Sequence, residues 1–574
     1  MENFALSFVD VIVFVISFGA SVLIGVYYGF VSKKRQNSPS EYILGGRQMT
    51  VLPVAASLVS TQLSGPSILG MPAEVYAFGT QYWLIFVPAT IMTIVVCKIH
   101  LKVLYEQASL SSFTYIERRF GQGVKKMMSG VYALSILLFL PVAIYVPALA
   151  LNQMTGLDIY ATAMVLSIIC LFYTLVGGIR GILWTDTLQL VFMLVGTVMV
   201  SGLAIYTAGG VQKVWDAADR GGRLVFFNMT PNPTVRVSFW TILVGNTFVQ
   251  FFHLGLNPTS IQRYVILPQL KDAKICLIAM SVGYVLFNAL FLVTGLALYA
   301  NYEDCDPMKV GVIRKIDQIL PHYMAEIGRH FPGLAGFFAA GLFSASLSSM
   351  SSCLNTLSGC LYEDFLARTF HHCTELRKSL MLKAIVLILG GIQLVLVFVV
   401  DSLGAAVFQL TVSVLSISGG VAVGIFTSGM ILPKMNAQGA LWGGISAMLA
   451  VGGISVGAQM RLKEPPLPLR TDGCTNITAL SSGVSFLESV AADGVSSAED
   501  VYWIFRLNYM FYALVGFIVV LAVGYPVSLL TDGGRVEDEN LLTNCVRASS
   551  IRKPSLSPGK HENVSYVEVS TENK

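Results

Sequence analysis

Residues 51–79 read VLPVAASLVSTQLSGPSILGMPAEVYAFG. The stretch is long and apolar enough to cross a bilayer, which takes about 20 apolar residues in a helix. Its middle, Ser60-Thr61-Gln62-Leu63-Ser64-Gly65-Pro66-Ser67, is polar and carries a Gly-Pro pair. Proline removes a backbone donor and disfavours helix for the residue before it. In hydrocarbon such a break leaves carbonyls unpaired, which is tolerated only where they line a protein cavity. Two readings follow. One is half of a cation site, since transporters expose helix ends to ions at broken helices. The other is a proline-kinked helix whose buried hydroxyls bond their own backbone.

Working outward, the 574 residues are 54% hydrophobic and 12% charged, against about 25% charged in soluble domains. This composition defines an all-α polytopic membrane protein, embedded in a lipid bilayer over 1–530, with a polar tail over 531–574. The formal net charge of +4 is too small to point to nucleic acid. Nine cysteines are scattered without metal-ligand spacing, and Cys97, Cys170, Cys276, Cys353 and Cys360 fall in apolar runs. There a thiol behaves as a small hydrophobe. The first apolar run lacks a basic leader and a cleavage site, so it is expected to span rather than to be removed.

Apolar segments predict about thirteen spanning helices, over 8–30, 51–79, 82–104, 127–150, 158–178, 183–207, 238–266, 274–300, 333–361, 381–400, 405–432, 437–458 and 503–530. The Gly177-Gly178-Ile179-Arg180-Gly181 turn separates the fifth from the sixth. Lys and Arg concentrate in the odd-numbered connections, Arg180 and Arg263 among them, while the long loops 208–237, 301–332 and 459–502 are the acidic ones. The positive-inside rule therefore predicts an outside N-terminus and a cytoplasmic C-terminus. The glycosylation acceptors Asn228 and Asn476 fall in loops assigned outside, as that modification requires. Asn563 lies in the tail and is expected unmodified. The 459–502 loop, rich in Ser, Gly, Ala and Pro, reads as lacking a core, and the tail reads as disordered.

The hydrophobic pattern fails again at His253-Leu254-Gly255-Leu256-Asn257-Pro258. This break lies in the seventh segment and the first lies in the second. Paired interruptions at matching places in two halves point to an inverted-repeat transporter, with repeats over approximately 51–207 and 238–432. The ninth segment holds Ser344, Ser346, Ser348, Ser349, Ser351 and Ser352. Small residues let helices approach closely, so tight packing is one reading. A sodium site is the other: Ser348 and Ser349 offer hydroxyls, Ala345 its carbonyl one turn earlier, and the first break the facing carbonyls. Asp186 is an acid at the edge of a spanning segment, a functional candidate by default. It either caps the sixth helix or attracts a cation leaving toward the cytoplasm.

Together these residues resemble the sodium/solute symporter family. The resemblance is carried by Ser60-x-x-Leu63-Ser64-Gly65 continuing to Gly70-Met71-Pro72-Ala73-Glu74-Val75-Tyr76 and Gly79. It continues through Tyr145 to Gly156, Tyr173-Thr174 with Gly177-Gly178, Trp184-Thr185-Asp186 with Gln189, Gly255 and Asn257 with Gln262-Arg263-Tyr264, and Ser344 to Ser348. It runs over about 5–530 and is nearest the branch of iodide, monocarboxylate and multivitamin transporters. It implies a leucine-transporter-type 5+5 inverted-repeat fold and sodium-driven alternating access, with sodium as the co-transported ion and no other cofactor. It implies a shared sodium site at the carbonyls of Ser60, Leu63 and Ala345 and the hydroxyls of Ser348 and Ser349. Asp186 and Gln189 match an acid and amide linked to sodium passage or a further sodium. Thr61, Ser64 and Ser67 match positions that line the solute and a second sodium. Ser67 stands where the iodide transporter has glutamine, which argues against iodide. Pro258 replaces a glutamine common in the family, which leaves Phe251, Phe252 and His253 as candidates for an aromatic gate.

The expected solute pocket comprises Thr61, Ser64, Ser67, Tyr82, Trp83, Gln250, Phe252, His253 and Thr411, without a basic counter-ion. His253 either titrates, giving pH-sensitive transport, or is a neutral, hydrogen-bonded core residue. Bound sodium, half-helix N-termini and hydroxyls suffice to neutralise a small carboxylate, so the solute is expected to be a monocarboxylate or vitamin-like carboxylate carried across the plasma membrane. A sugar, inositol or choline symporter, an inorganic-anion carrier, and a channel or sensor are the alternatives. An enzyme is disfavoured: the sequence holds no metal-spaced cluster and no nucleophile–base pairing, and His371-His372 lie in a solvated loop.

Overall fold

The computed structural model describes residues 7–32, 38–107, 109–402, 407–461, 466–474, 502–531, 538–543 and 546. Ten helices among them are long and apolar enough to cross a membrane. Phe8–Val31 starts at a capping box in which Ser7 Oγ accepts from the Asp10 backbone and Asp10 accepts from Ser7 N. The buried Asp10 also accepts from Gly336 N at 2.7 Å. It thereby ties the start of this helix to the start of Leu334–Leu366 (the serine helix). The serine helix is nearly all buried and packs most extensively against Ile159–Thr207, so the six serines between Ser344 and Ser352 lie at the centre of the molecule.

Three interruptions organise the rest. The first broken helix runs as Val51–Gln62, then two extended residues, then Gly65–Phe78. Leu63 (φ −96°, ψ 106°) and Ser64 (φ −102°, ψ 165°) leave the helical region because Pro66 cannot continue the hydrogen-bond ladder. Gly65 is required by proximity: a Cβ there would meet Ser346 Oγ at 2.5 Å. The second broken helix runs through Asn246–Phe251 and a widened turn, Phe252–Leu256, to Pro258–Val265. Asn257 is extended there, and its side chain accepts from Thr259 N. The pieces of both broken helices are too short to be among the ten. The third interruption is Gly178 within Ile159–Thr207, at φ 53°, ψ −161°. Only glycine adopts that φ without cost, and the helix turns sharply there.

Several sequence expectations are corrected. Arg180 and Arg263 are not loop cations. Arg180 is buried and donates to Glu41 and to the Gly45 carbonyl, both at 2.7 Å. Arg263 is fully buried inside Pro258–Val265. Part of the 459–502 loop is fixed: Leu467 N donates to Ala77 O at 2.9 Å, Arg223 to Pro468 O at 2.8 Å, and Cys474 forms a disulfide with Cys305. Part of the tail is seated as well. Leu541 and Leu542 are buried, Tyr115 donates to Leu541 O at 3.2 Å, and Thr543 N donates to Met430 O at 3.1 Å. At the same end, hydrogen bonds from Lys125 at 2.7 Å and Arg368 at 3.0 Å hold the Glu117 carboxyl below its usual range.

The disulfide closes a loop of 169 residues, and losing such a native bridge costs about 2–5 kcal/mol in small secreted domains. Cys305→Ser and Cys474→Ser are each expected to reduce the amount of carrier at the cell surface. In the wild type, two thiols should react with a maleimide polymer only after reduction. A surface amount unchanged in both variants would contradict a stabilising role for the bridge.

Candidate functional site

The first break and the serine helix meet through oxygen atoms. Ser348 Oγ lies 3.0 Å from Ser60 O and 3.1 Å from Ala345 O. Ser349 Oγ lies 3.4 Å from Thr61 O and 3.5 Å from Leu63 O. The hydroxyls of Ser60 and Thr61 turn away and donate to Ser57 O at 3.1 and 2.7 Å, so these two residues contribute carbonyls here. Ser60, Leu63, Ala345, Ser348 and Ser349 are all buried. The result is a small, buried cluster of neutral oxygens on two elements. Hard cations take oxygen ligands, and neutral ones suit a monovalent ion that must also leave.

One turn along the serine helix lies a charged network. Asp186 Oδ2 accepts from Ser57 Oγ at 2.5 Å and lies 3.4 Å from both Arg263 Nη2 and Ser352 Oγ. Arg263 donates Nε to Ser57 Oγ at 2.7 Å, Nη1 to Thr259 O at 3.0 Å, and Nη2 to Ser352 Oγ. Both charged side chains are fully buried. Asp186 is eight residues past Gly178, well inside the helix, so it does not cap that helix. Its Oδ1 and both polar atoms of the buried Gln189 have no hydrogen-bond partner among the described residues, leaving acceptors available to a cation. Thr61 Oγ1, 3.2 Å from Ser352 Oγ, links this network to the oxygen cluster.

On the other side of the break is a cavity of about 100 Å³. It gathers Thr61, Ser64, Ser67, Tyr82, Gln250, His253 and Thr411 from the expected set, together with Gln62, Asn246, Asn257, Thr259 and Tyr284. No Asp, Glu, Lys or Arg among the described residues lines it. Ser64 Oγ and Ser67 Oγ are 3.1 Å apart, and Gln250 Nε2 donates to Tyr284 OH at 3.1 Å. The His253 carbonyl accepts from Ser260 Oγ at 2.9 Å and Gln62 Nε2 at 3.4 Å. Two expected residues stand outside the cavity. Trp83 follows Tyr82 in a tight turn and points away, donating Nε1 to Phe226 O at 3.0 Å. Phe252 is turned onto Gly419, where a Cβ would meet its ring at 3.2 Å. Asn246 and Tyr284 are single polar residues in apolar runs and carry no periodic signal in the sequence. Asn228 lies in the loop before the second broken helix, with Oδ1 accepting from Thr230. Asn476 lies outside the described residues.

A helical membrane protein with two interrupted helices, an all-oxygen cluster at one break and a polar cavity beside it is built as an ion-linked transporter. The model of the Sodium:solute symporter family matches residues 42–447. The chain belongs to this family and is a sodium-coupled solute symporter, a multi-pass membrane protein. It is 34% identical over 537 residues to sodium-coupled monocarboxylate transporter 2 of Bos taurus, covering 92% of this chain and 85% of that one. It is 32% identical to sodium-coupled monocarboxylate transporter 1 of Homo sapiens, covering 92% and 88%. It is 31% identical to a putative sodium-dependent multivitamin transporter of Drosophila melanogaster, covering 89% and 84%. Among solved structures, a Na+-coupled sialic acid symporter in a substrate-bound, outward-open state superposes with a TM-score of 0.75 at 22% identity, covering 93% of this chain and all of the other. That likeness supports the fold.

Removing one member of a buried ion pair typically costs about 3–5 kcal/mol, because it strands the partner's charge. Arg263→Met is therefore expected to abolish delivery of folded carrier to the surface, and the double variant Asp186→Leu/Arg263→Met to restore part of it. Surface biotinylation reads the difference. A double variant no better than the single one would show that Asp186 and Arg263 are not energetically coupled.

Proposed function

We propose that this protein imports a small organic anion, a monocarboxylate or vitamin-like carboxylate, together with sodium across the plasma membrane by alternating access. The observation that carries the sodium part is the convergence of Ser348 and Ser349 hydroxyls on carbonyls freed at the first break. Sodium is held there by the carbonyls of Ser60, Leu63 and Ala345 and the two hydroxyls. It leaves toward the cytoplasm past Thr61, Asp186 and Gln189, with the unpartnered Asp186 and Gln189 oxygens as the next acceptors.

The solute occupies the neutral cavity. Ser64 and Ser67 sit at the N-terminus of one half-helix, and Asn257 and Thr259 at that of another. Both ends are positive and favour an anion. The monocarboxylate and multivitamin transporters among the relatives favour the same class. A second reading has its own support: Gln62, Asn246, Gln250 and Asn257 bring four amides to the cavity, which suits a hydroxyl-rich neutral solute. Competition by glucose, inositol or choline would reveal it.

In this reading the two broken helices, the kinked Ile159–Thr207 and the unbroken spans make thirteen crossings, in two inverted five-helix repeats with one helix before and two after. The N-terminus faces outside and the C-terminus the cytoplasm. The Cys305–Cys474 bridge supports placing loops 301–332 and 459–502 outside, where disulfides persist. Asn228 and Asn476 are then glycosylated. Sodium completes the cavity wall, and closure of the half-helices commits both solutes. Coupling is a difference in affinity between states. It is driven by the sodium gradient and about 2.3 kcal/mol per charge per 100 mV of membrane potential.

Uptake of radiolabelled L-lactate, nicotinate, biotin, pantothenate, iodide and glucose, with and without sodium, tests the solute. Sodium-dependent accumulation confined to carboxylates is expected, and accumulation of glucose alone would reject the anionic reading. The double variant Ser348→Ala/Ser349→Ala should reach the surface and lose sodium-dependent uptake. Wild-type uptake by that variant would reject the sodium site.

A further inference from the structure

The half-helix Gly65–Phe78 carries a second constellation at its far end. Arg236 grips Glu74 with two parallel bonds, Nε to Oε1 at 2.8 Å and Nη2 to Oε2 at 2.9 Å. Its third nitrogen, Nη1, donates to Gln409 Oε1 at 3.2 Å. The guanidinium lies over the Phe78 ring at 4.1 Å and 5.6 Å from that of Tyr509. The side chains of Arg236 and Glu74 are only 12% and 6% exposed. Asn508 fixes the backbone at this point by donating to the carbonyls of Val235 and Arg236. One side chain thus joins the half-helix, the segment leading into the second broken helix, the helix Val407–Ile431, and the start of the span Tyr509–Leu530.

Two of these elements also wall the cavity. Ser67 precedes Glu74 on the same half-helix by about 10 Å of helix rise, and Thr411 follows Gln409 by two residues. Among the described residues the cavity itself offers a carboxylate no Lys or Arg. Arg236 offers a fork that already fits one, since guanidinium and carboxylate match in paired geometry. Opening the Glu74–Arg236 pair with nothing in its place loses both bonds of the fork between two nearly buried charges, which is costly. Exchanging Glu74 for another carboxylate keeps both charge-assisted bonds on Arg236 and leaves the displaced Glu74 charge to the accompanying cation.

We propose that Arg236, with Gln409 beside it, is the outer docking point of the solute's carboxylate, and that Glu74 is the resident carboxylate it displaces. The proposal rests on the anionic-solute reading above. Displacement frees the half-helix from the segment before the second broken helix, so solute arrival and movement of the outer gate become one event. The released Glu74 leaves a net negative mouth that attracts the accompanying cation.

The test is uptake kinetics of L-lactate and nicotinate at fixed sodium in the full-length carrier, normalised to surface amount. Arg236→Lys keeps the charge and loses the fork. It is expected to raise KM about tenfold, as losing a bond to a charged group does, with the maximal rate changed less than about twofold. Gln409→Leu is expected to raise KM by a smaller factor. Glu74→Gln removes the competitor and is expected to lower KM. A merely structural pair would change surface amount and maximal rate while KM stayed at the wild-type value in all three variants, and that result overturns the proposal. If a single variant fails to reach the surface, the exchange Glu74→Arg/Arg236→Glu rebuilds the pair. Restored surface amount with raised KM supports the docking role, and restoration of both overturns it. Wild-type carrier that accumulates neither anion in sodium overturns the anionic-solute reading and this proposal with it. Wild-type uptake with unmoved KM in the variants overturns this proposal alone.

Discussion

Backbone carbonyls at the first break, those of Ser60, Thr61 and Leu63, need partners in the buried interior. An unsatisfied polar group in hydrocarbon costs several kcal/mol. In this protein the partners are two serine hydroxyls on one buried helix, Ser348 and Ser349. That constraint sets much else. The serine helix must run through the centre, where it is buried on nearly every face. Gly65 must lack a side chain because Ser346 stands where a Cβ would go. Hydroxyls already satisfied by Ser57 O keep Ser60 and Thr61 from competing for the same carbonyls. With a cation present, carbonyls and hydroxyls can turn to it without a change of fold.

Two buried ion pairs bracket this centre, and they differ in kind. Asp186–Arg263 is fully enclosed and shared among Ser57, Thr259 and Ser352, so it binds four helical segments into one inner unit. Glu74–Arg236 is two-pronged, slightly exposed and placed where elements of the cavity wall converge. Buried pairs are weak evidence for stability because desolvation offsets their attraction. Their consequence here is geometric: each fixes the relative position of a half-helix and its neighbours.

Much of this was legible in the sequence, and the reason is polar punctuation. Gly-Pro at 65–66, Asn-Pro at 257–258 and six serines in one apolar span stand out against hydrocarbon-compatible surroundings, and the fold follows from them. Ser60, Leu63, Ala345, Ser348 and Ser349, far apart in the chain, lie together in the structure. What stayed hidden depends on distance in the chain or on context. Arg263 follows a helix break and reads as a loop charge until the neighbouring serines and Asp186 enclose it. Cys305 and Cys474 are 169 residues apart, so spacing carries no signal. Trp83 and Tyr82 are adjacent, and only the tight turn decides which of them faces the cavity. Leu541 and Leu542 belong to a polar tail by composition, yet find an apolar seat beside Tyr115 and Met430.

The central claim is that carbonyls freed at the first break and the Ser348 and Ser349 hydroxyls together hold the driving ion. Equilibrium binding of radioactive sodium to the purified carrier, in the absence of any solute, tests it most directly. Saturable binding to the wild type that disappears in Ser349→Ala, with the protein still folded by size-exclusion profile, is the predicted result. Saturable binding of equal affinity in Ser349→Ala and Ser348→Ala would contradict the account.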